Sequence, residues 1–550
     1  MCNAIHNSVP DGQPDRNYTA KPGCGWHTPE SNSVPAAVIR EMHWLIVTLL
    51  AMQLAMIVTH PLHANWDVAM LLDIGGRILD GQRPYVDYYE INMPFVHYLH
   101  MVPAALARLT GWHILTVMMG MVWLLLAWSV WAANQQGQCY FAAVPHMAAV
   151  LPLALALASF LTALTNQYGQ REHLFILLFA PYMLLRLRRW RGDKFAPWGA
   201  TGIGLMAAVG VACKPHFAVF PLLWEGVCAV QERRRWHAFL APELGGFILI
   251  ALLHLGYAAW FPDVTRGLRE TLALVWHGYD AYSYKSPLVM LRSPALLFSN
   301  AVIVLALAVS WWQQSAARHA VVGWGLFAAL ACAVAVLQTH GWFYHFIPFS
   351  TMVLVLAIFL VLVLPLRHLF LRVVSGYIIL VLVFLLPTWD GFITAATPSR
   401  AALATTIARG SSPGDGILVL DAEYYMSYPL MQQMGRHQVA SYLCAYPFWI
   451  AYHPRDAATI LDPQAPMPPA AAHLLHQTRQ DIARHRPALI IARADDPTGP
   501  SIAAWLEAHD FVAQVITPDY YLVEQTAWYL AWQRKDLMVH KDKKTKRRAI

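Results

Sequence analysis

Charge is scarce along this chain: Asp, Glu, Lys and Arg make up 13% of its 550 residues, while hydrophobic residues make up 57%. A soluble globular domain carries about 25% charged residues, so the balance excludes that class and indicates an integral membrane protein. A period-two alternation is also lacking, which argues against a lipid-facing barrel. Apolar runs of about twenty residues recur instead, each long enough to cross about 30 Å of hydrocarbon as a helix.

Other absences narrow the function. The seven cysteines, at 2, 24, 139, 213, 228, 332 and 444, are odd in number and have no CxxC spacing, so neither a disulfide framework nor a zinc site is indicated. No phosphate loop or dinucleotide fingerprint occurs. No cleavable signal is read at the N-terminus: residues 1–39 are polar and carry Pro10, Pro14, Pro22 and Pro29, and the run Met42 to Thr59 is long enough to stay as an anchor. The formal charge of +7 does not imply a nucleic-acid partner, because the tail from Arg534 onward supplies six of those charges and is expected to meet anionic lipid or to stay solvated.

The apolar runs define eleven expected spans: 42–60, 112–132, 144–164, 171–187, 197–212, 215–230, 239–260, 294–312, 320–338, 346–364 and 373–388. Four basic loops then fall on one side: Arg186 through Lys194, Arg233 to Arg235, Arg318, and Arg367 with Arg372. The positive-inside bias makes that side the cytoplasm. The expected organisation is a cytoplasmic tail at 1–40, a transmembrane module at 41–390, an external domain at 391–530 and a basic tail at 531–550. The fold class is thus an α-helical polytopic membrane protein of about eleven spans, with interfacial helices in the first external loop and a small C-terminal α/β external domain. A bacterial inner membrane is the expected location, with the C-terminal domain periplasmic.

Residues 61–111 are too long and polar for a simple connection. Met70, Leu71, Ile74 and Ile78 form an apolar stripe within Val68 to Leu79, which predicts a helix along the membrane surface. Its polar face is expected to turn Asp67, Asp73, Arg77 and Asp80 toward water or a cavity. Pro84 and Pro94 break continuity and leave Tyr85 to Met93 irregular. Beyond Trp389, Ile417 to Asp421 and Ala488 to Ala492 read as buried strands, with a terminal strand near Tyr520 to Val523 and a surface loop at Pro463 to Pro469.

Asp67 follows the first span, where a carboxylate can face an aqueous pocket and serve as general base toward an acceptor hydroxyl. The plainer reading makes it the N-cap of the helix that begins at Val68. Asp87 and Glu90 flank tyrosines, close to Tyr85 and Asn92; carboxylates and aromatic faces there suit sugar hydroxyls, or oxygen ligation of a divalent cation. The alternative is an ordinary interfacial turn. A second group, Arg171, Glu172, His173, Lys214, Lys285, His340 and His345, falls on the same side of the expected bundle. Ionisable groups at membrane depth are costly, so their gathering suggests a lined cavity that holds a phosphate and stabilises charge as it departs. Structural histidines, an Arg171–Glu172 ion pair and a snorkelling Lys214 are the plain alternatives. Gly199, Gly202, Gly204 and Gly210 predict close helix packing.

The first span followed by a short Asp-containing turn, then Leu79 through Asp87, the downstream Asn92-Met93-Pro94, Gln170-Arg171-Glu172-His173 and Cys213-Lys214-Pro215, resembles in order the GT-C superfamily of polytopic glycosyltransferases. The likeness lies between about residues 40 and 390 and is closest to dolichyl-phosphate-mannose-type and lipopolysaccharide-type bacterial members. It departs from many relatives at Val68, where they carry Glu, and at Met93, where some carry Lys. The resemblance implies inverting transfer of a sugar from a polyprenyl-phosphate donor to a glycan, lipid or protein acceptor outside the inner membrane. Asp67 takes the place of the base, and Lys214 and Arg171 become candidates for the donor phosphate. No cofactor is required, although a divalent cation is an option. The competing class is a transporter or flippase of a lipid-linked or polar solute, against which the chain shows no matching halves.

Overall fold

The computed structural model describes residues 36–231, 240–278, 284–312, 317–363, 398–452, 456–495 and 500–537. The expected span at 373–388, the Arg233–Arg235 and Arg367–Arg372 loops, most of both terminal tails, Cys2 and Cys24 lie outside them.

Long apolar runs fold as expected, into helices. They are α1 (Ala36–Thr59), α2 (Trp66–Leu79), α3 (Pro94–Leu99), α4 (Met101–Thr110), α5 (Ile114–Tyr140), α6 (Val150–Leu164), α7 (Arg171–Arg191), α8 (Pro197–Ala212), α9 (Val219–Gln231), α10 (Gly245–Trp260), α11 (Pro262–Gly278), α12 (Pro287–Leu291), α13 (Pro294–Trp312), α14 (Arg318–Leu337) and α15 (Ile347–Val363). Among the described residues, seven helical stretches are long and apolar enough to cross a membrane, and Pro197–Ala212 and Pro215–Val230 are shorter apolar helices. This is a multi-pass membrane protein. Helix α7 sits at the centre: almost every residue from Arg171 to Leu187 is buried, and it packs on α5, α8, α9 and α15. A helix apolar on all sides can be stable only with neighbours all round. Helices α10 and α13 lie on the flank and leave Leu252, Leu255, Phe298 and Val304 exposed, as a lipid-facing surface requires.

Arg186 belongs to this bundle rather than to a basic loop. Its guanidinium is fully buried and donates to Glu225 (both bonds 2.6 Å) and Glu243 (2.6 Å); Tyr182 and Trp190 also donate to Glu225, and Arg189 to Glu243. Burial of an arginine is tolerated there because two carboxylates from neighbouring helices satisfy its fork. Glycine permits the approach: a Cβ on Gly204 would fall 1.9 Å from the Glu243 carbonyl oxygen, and one on Gly210 would fall 2.9 Å from Leu178 Cβ. Gly199 and Gly202 face open space, so the expected packing role falls on only two of the four.

The C-terminal region forms one sheet of five strands, β1 (Gly416–Leu420), β2 (His437–Gln438), β3 (Leu489–Arg493), β4 (Tyr520–Gln525) and β5 (Tyr529–Arg534), in the order β2-β1-β3-β5-β4. Strands β1, β2 and β3 are parallel; β5 runs antiparallel to β3 and to β4. Along β1, Leu418 and Leu420 pack into one apolar cluster and Ile417 and Val419 into another, so helices and loops cover both faces.

This sheet docks on α2 through the ends of its parallel strands. Tyr428, after β1, donates to Asp73 (2.8 Å), and Gln432 and Gln433 donate to the carbonyls of Ala69 (2.8 Å) and Leu62 (3.0 Å). Arg77 pairs with Asp73 (2.8 Å) and donates to the carbonyls of Gln438, which ends β2, and of Ala440 just beyond it. Asp73 and Arg77 therefore face the C-terminal domain, not water, because those carbonyls at the strand ends need donors. Asp80 stays exposed and pairs with Arg108 (2.9 Å).

Candidate active site

The elements around Asp67 bring its surroundings from distant parts of the chain. Asn65 is the N-cap of α2, its side chain accepting from the Asp67 amide at 2.8 Å. Asp67 is thus in the first turn rather than the cap itself, which leaves its carboxylate for other contacts and places it where the helix dipole favours negative charge. Gln170, just before α7, donates to both Asn65 Oδ1 (2.8 Å) and Asp67 Oδ2 (3.0 Å), while Asn65 Nδ2 donates to the Asn166 carbonyl (2.9 Å). Burial raises the Asp67 carboxyl above its ordinary range, opposed by the Arg171 charge and the Gln170 hydrogen bond.

Arg171 opens α7, and Lys214 lies in the turn between α8 and α9, so both stand at the same end of the bundle as Asp67. Lys214 pairs with Glu172 and lies 5.3 Å from the centre of the Tyr344 ring. Burial pushes the Lys214 ammonium down to about 8, against the upward pull of Glu172. Asp67 interacts electrostatically with Arg171, Glu90 and Lys214. Arg171 is only 9% exposed, yet among the described residues its side chain has no hydrogen-bond or ion-pair partner. Glu172 Oε2 and His345 Nδ1 are also buried without a partner there.

The other expected site residues divide. His345 and His340 stand at the same end of the bundle, His345 within reach of the Lys214 and Arg171 charges and His340 stacked on Trp342 at 4.6 Å. His173 is bonded within the chain at both ring nitrogens: Nδ1 accepts from the Gly169 amide (3.1 Å), and Nε2 bonds Ser159 Oγ (2.8 Å). Glu90 is buried and accepts from the Asn92 amide (2.6 Å), the Asn92 side chain (2.8 Å), His97 (3.2 Å) and Tyr424 of the C-terminal domain (2.8 Å). These bonds hold its carboxyl below the ordinary range despite burial. Tyr85 takes φ 61° and donates to the Asn92 carbonyl. Asp87 is half-buried, accepts from the Arg83 amide (2.8 Å) and pairs with the Arg83 side chain (3.5 Å). Among the described residues, no group of three or more His, Cys, Asp or Glu is placed to hold a metal ion.

No family model matches the chain, and no curated protein matches it. Among solved structures it is similar to the arabinofuranosyltransferase AftD from mycobacteria, with 16% identity and a TM-score of 0.43, over 90% of this chain and 40% of that one. The chain therefore spans well under half the length of that protein.

Gln170, Tyr344 and Tyr424 were not among the expected site residues. Gln170 stood in a noted motif, but its contact with Asp67 joins residues 103 apart, which no local pattern reveals.

Proposed function

We propose that this chain is a membrane glycosyltransferase that moves a sugar from a polyprenyl-phosphate donor to an acceptor hydroxyl, with inversion. The observation that carries the reading is a buried Arg171 guanidinium that makes no hydrogen bond or ion pair among the described residues, within electrostatic reach of the buried Asp67 carboxylate. An unpaired buried cation is costly, and a bound phosphate removes the cost. In the reaction the acceptor oxygen attacks the anomeric carbon as the bond to the donor phosphate breaks. Asp67 takes the acceptor proton, and Arg171 with Lys214 stabilises the charge gathering on the departing lipid phosphate. Gln170 holds one Asp67 oxygen and leaves the other lone pairs for the proton. The donor tail lies between helices, and the acceptor approaches from the side of the C-terminal domain, which we place outside the inner membrane.

Purified protein given a radiolabelled polyprenyl-phosphate sugar and candidate acceptors tests this. Transfer should fall at least a thousandfold in Asp67→Asn, and the Michaelis constant for the donor should rise at least tenfold in Arg171→Gln. Full transfer by Asp67→Asn, or movement of the donor lipid across vesicles without transfer, would overturn the proposal.

A further inference from the structure

A cleft of about 380 Å³ lies in the C-terminal domain between the helix Pro469–His485, the turn Val512–Ile516 and the ends of β4 and β5. Its size suits one or two sugar rings. Arg479, Arg486, Arg534, Gln514, Asp519 and Tyr520 line it. Arg534 is engaged, donating to Asp536 (2.7 Å) and to the Arg486 carbonyl. Among the described residues, the side chains of Arg479, Arg486, Gln514 and Asp519 make no hydrogen bond or ion pair with the protein. Neighbouring Lys535 turns its ammonium to the carbonyls of Thr517 and Pro518, both at 2.8 Å.

Arg486 caps the helix Pro469–His485 in the left-handed conformation, with φ 45°. Glycine adopts that geometry freely, whereas a residue with a Cβ is strained there, so an arginine held this way in a cleft invites a functional account. Arg486 precedes β3 and Arg534 ends β5, so the cleft opens at the start of β3, the end of the sheet opposite the C-terminal ends of β1 and β3.

We propose that this cleft binds an acidic sugar residue of the acceptor glycan. Two unpaired guanidinium forks match a carboxylate or phosphate group, while Asp519 and Gln514 match ring hydroxyls. A simple anion uses only the first pair and meets repulsion from Asp519; a neutral sugar uses only the second. The assignment rests on the glycosyltransferase reading for the word acceptor, but the binding itself does not need turnover.

The test uses the full chain carrying Asp67→Asn, in nanodiscs of phosphatidylcholine, titrated by calorimetry with glucuronate, glucose 1-phosphate, glucose and inorganic phosphate. Glucuronate or glucose 1-phosphate should bind with millimolar affinity, at least tenfold more tightly than glucose or inorganic phosphate. The double variant Arg479→Gln, Arg486→Gln should lose at least tenfold for the acidic sugar, and Asp519→Ala should weaken that sugar without weakening phosphate. Both arginines are exposed, so these variants keep the fold. No acidic-sugar binding, equal binding of inorganic phosphate, or binding indifferent to the double variant overturns the assignment. If the unmodified chain still transfers sugar while the cleft binds none, the cleft assignment alone fails.

Discussion

Asp67 and Lys214 set opposite limits on the pH dependence of the proposed reaction. The base must be deprotonated, so kcat/KM should fall as pH drops through the raised pKa of Asp67; Lys214 must be charged, so it should fall again as pH rises through about 8. The Gln170 hydrogen bond lowers the Asp67 pKa. Gln170→Ala should therefore move the acidic limb to higher pH and leave the alkaline limb in place. A pH profile of kcat/KM checks this, and a loss of rate without a moved limb would mean that Gln170 only supports the fold. At this scale the sequence revealed residue types more readily than partners. Asp67 and Lys214 stood out because carboxylates and ammonium groups are rare in apolar surroundings. The bonds that fully occupy Glu90 and His173 came from residues such as Tyr424 and Ser159, whose roles depend on chain folding.

Among the elements, apolar runs were legible because a membrane helix must satisfy its own backbone and therefore needs an unbroken run of suitable length. Strands β1 and β3 were also legible, since strands buried on both faces are continuously apolar. Strand β2 has only two residues and gave no pattern, while β5 mixes Trp532 and Gln533 into a run that is nearly all buried. Within the basic cluster near the end of α7, Arg186 alone misled, for a physical reason: charge alone does not distinguish a solvated arginine from one paired inside a bundle. Arg186→Met should leave Glu225 and Glu243 buried with fewer partners and cost about 3–5 kcal/mol. Gly204→Val should push Glu243 away from the same arginine, because the added atoms meet backbone rather than a movable side chain. Thermal unfolding in detergent, followed by tryptophan fluorescence, should show both variants well below the unaltered chain, whereas Gly202→Ala in open space should match it. An unchanged midpoint in Arg186→Met would remove the stabilising role assigned to this network.

For the whole molecule, sidedness joins the bundle to its chemistry. Asp67, Gln170, Arg171, Lys214 and His345 all occur at helix ends or turns on one end of the bundle, and the C-terminal sheet docks through Tyr424, Tyr428 and Gln432 at that end. The basic end of α7 lies about 1.5 Å per residue along the helix from Arg171, so Arg188 and Lys194 occupy the other side. Because positive charge is retained in the cytoplasm, we propose that the site and the sheet lie outside. Single cysteines at Asp80, His476 and Lys194, each introduced into a chain with its native cysteines replaced by serine or alanine, make this testable. All three positions are exposed. A membrane-impermeant maleimide applied to intact spheroplasts should label the first two and reach Lys194→Cys only after the membrane is opened. Labelling of Lys194→Cys in intact spheroplasts, with protection of the other two, would invert the topology and put the acceptor, the donor sugar and the base in the cytoplasm.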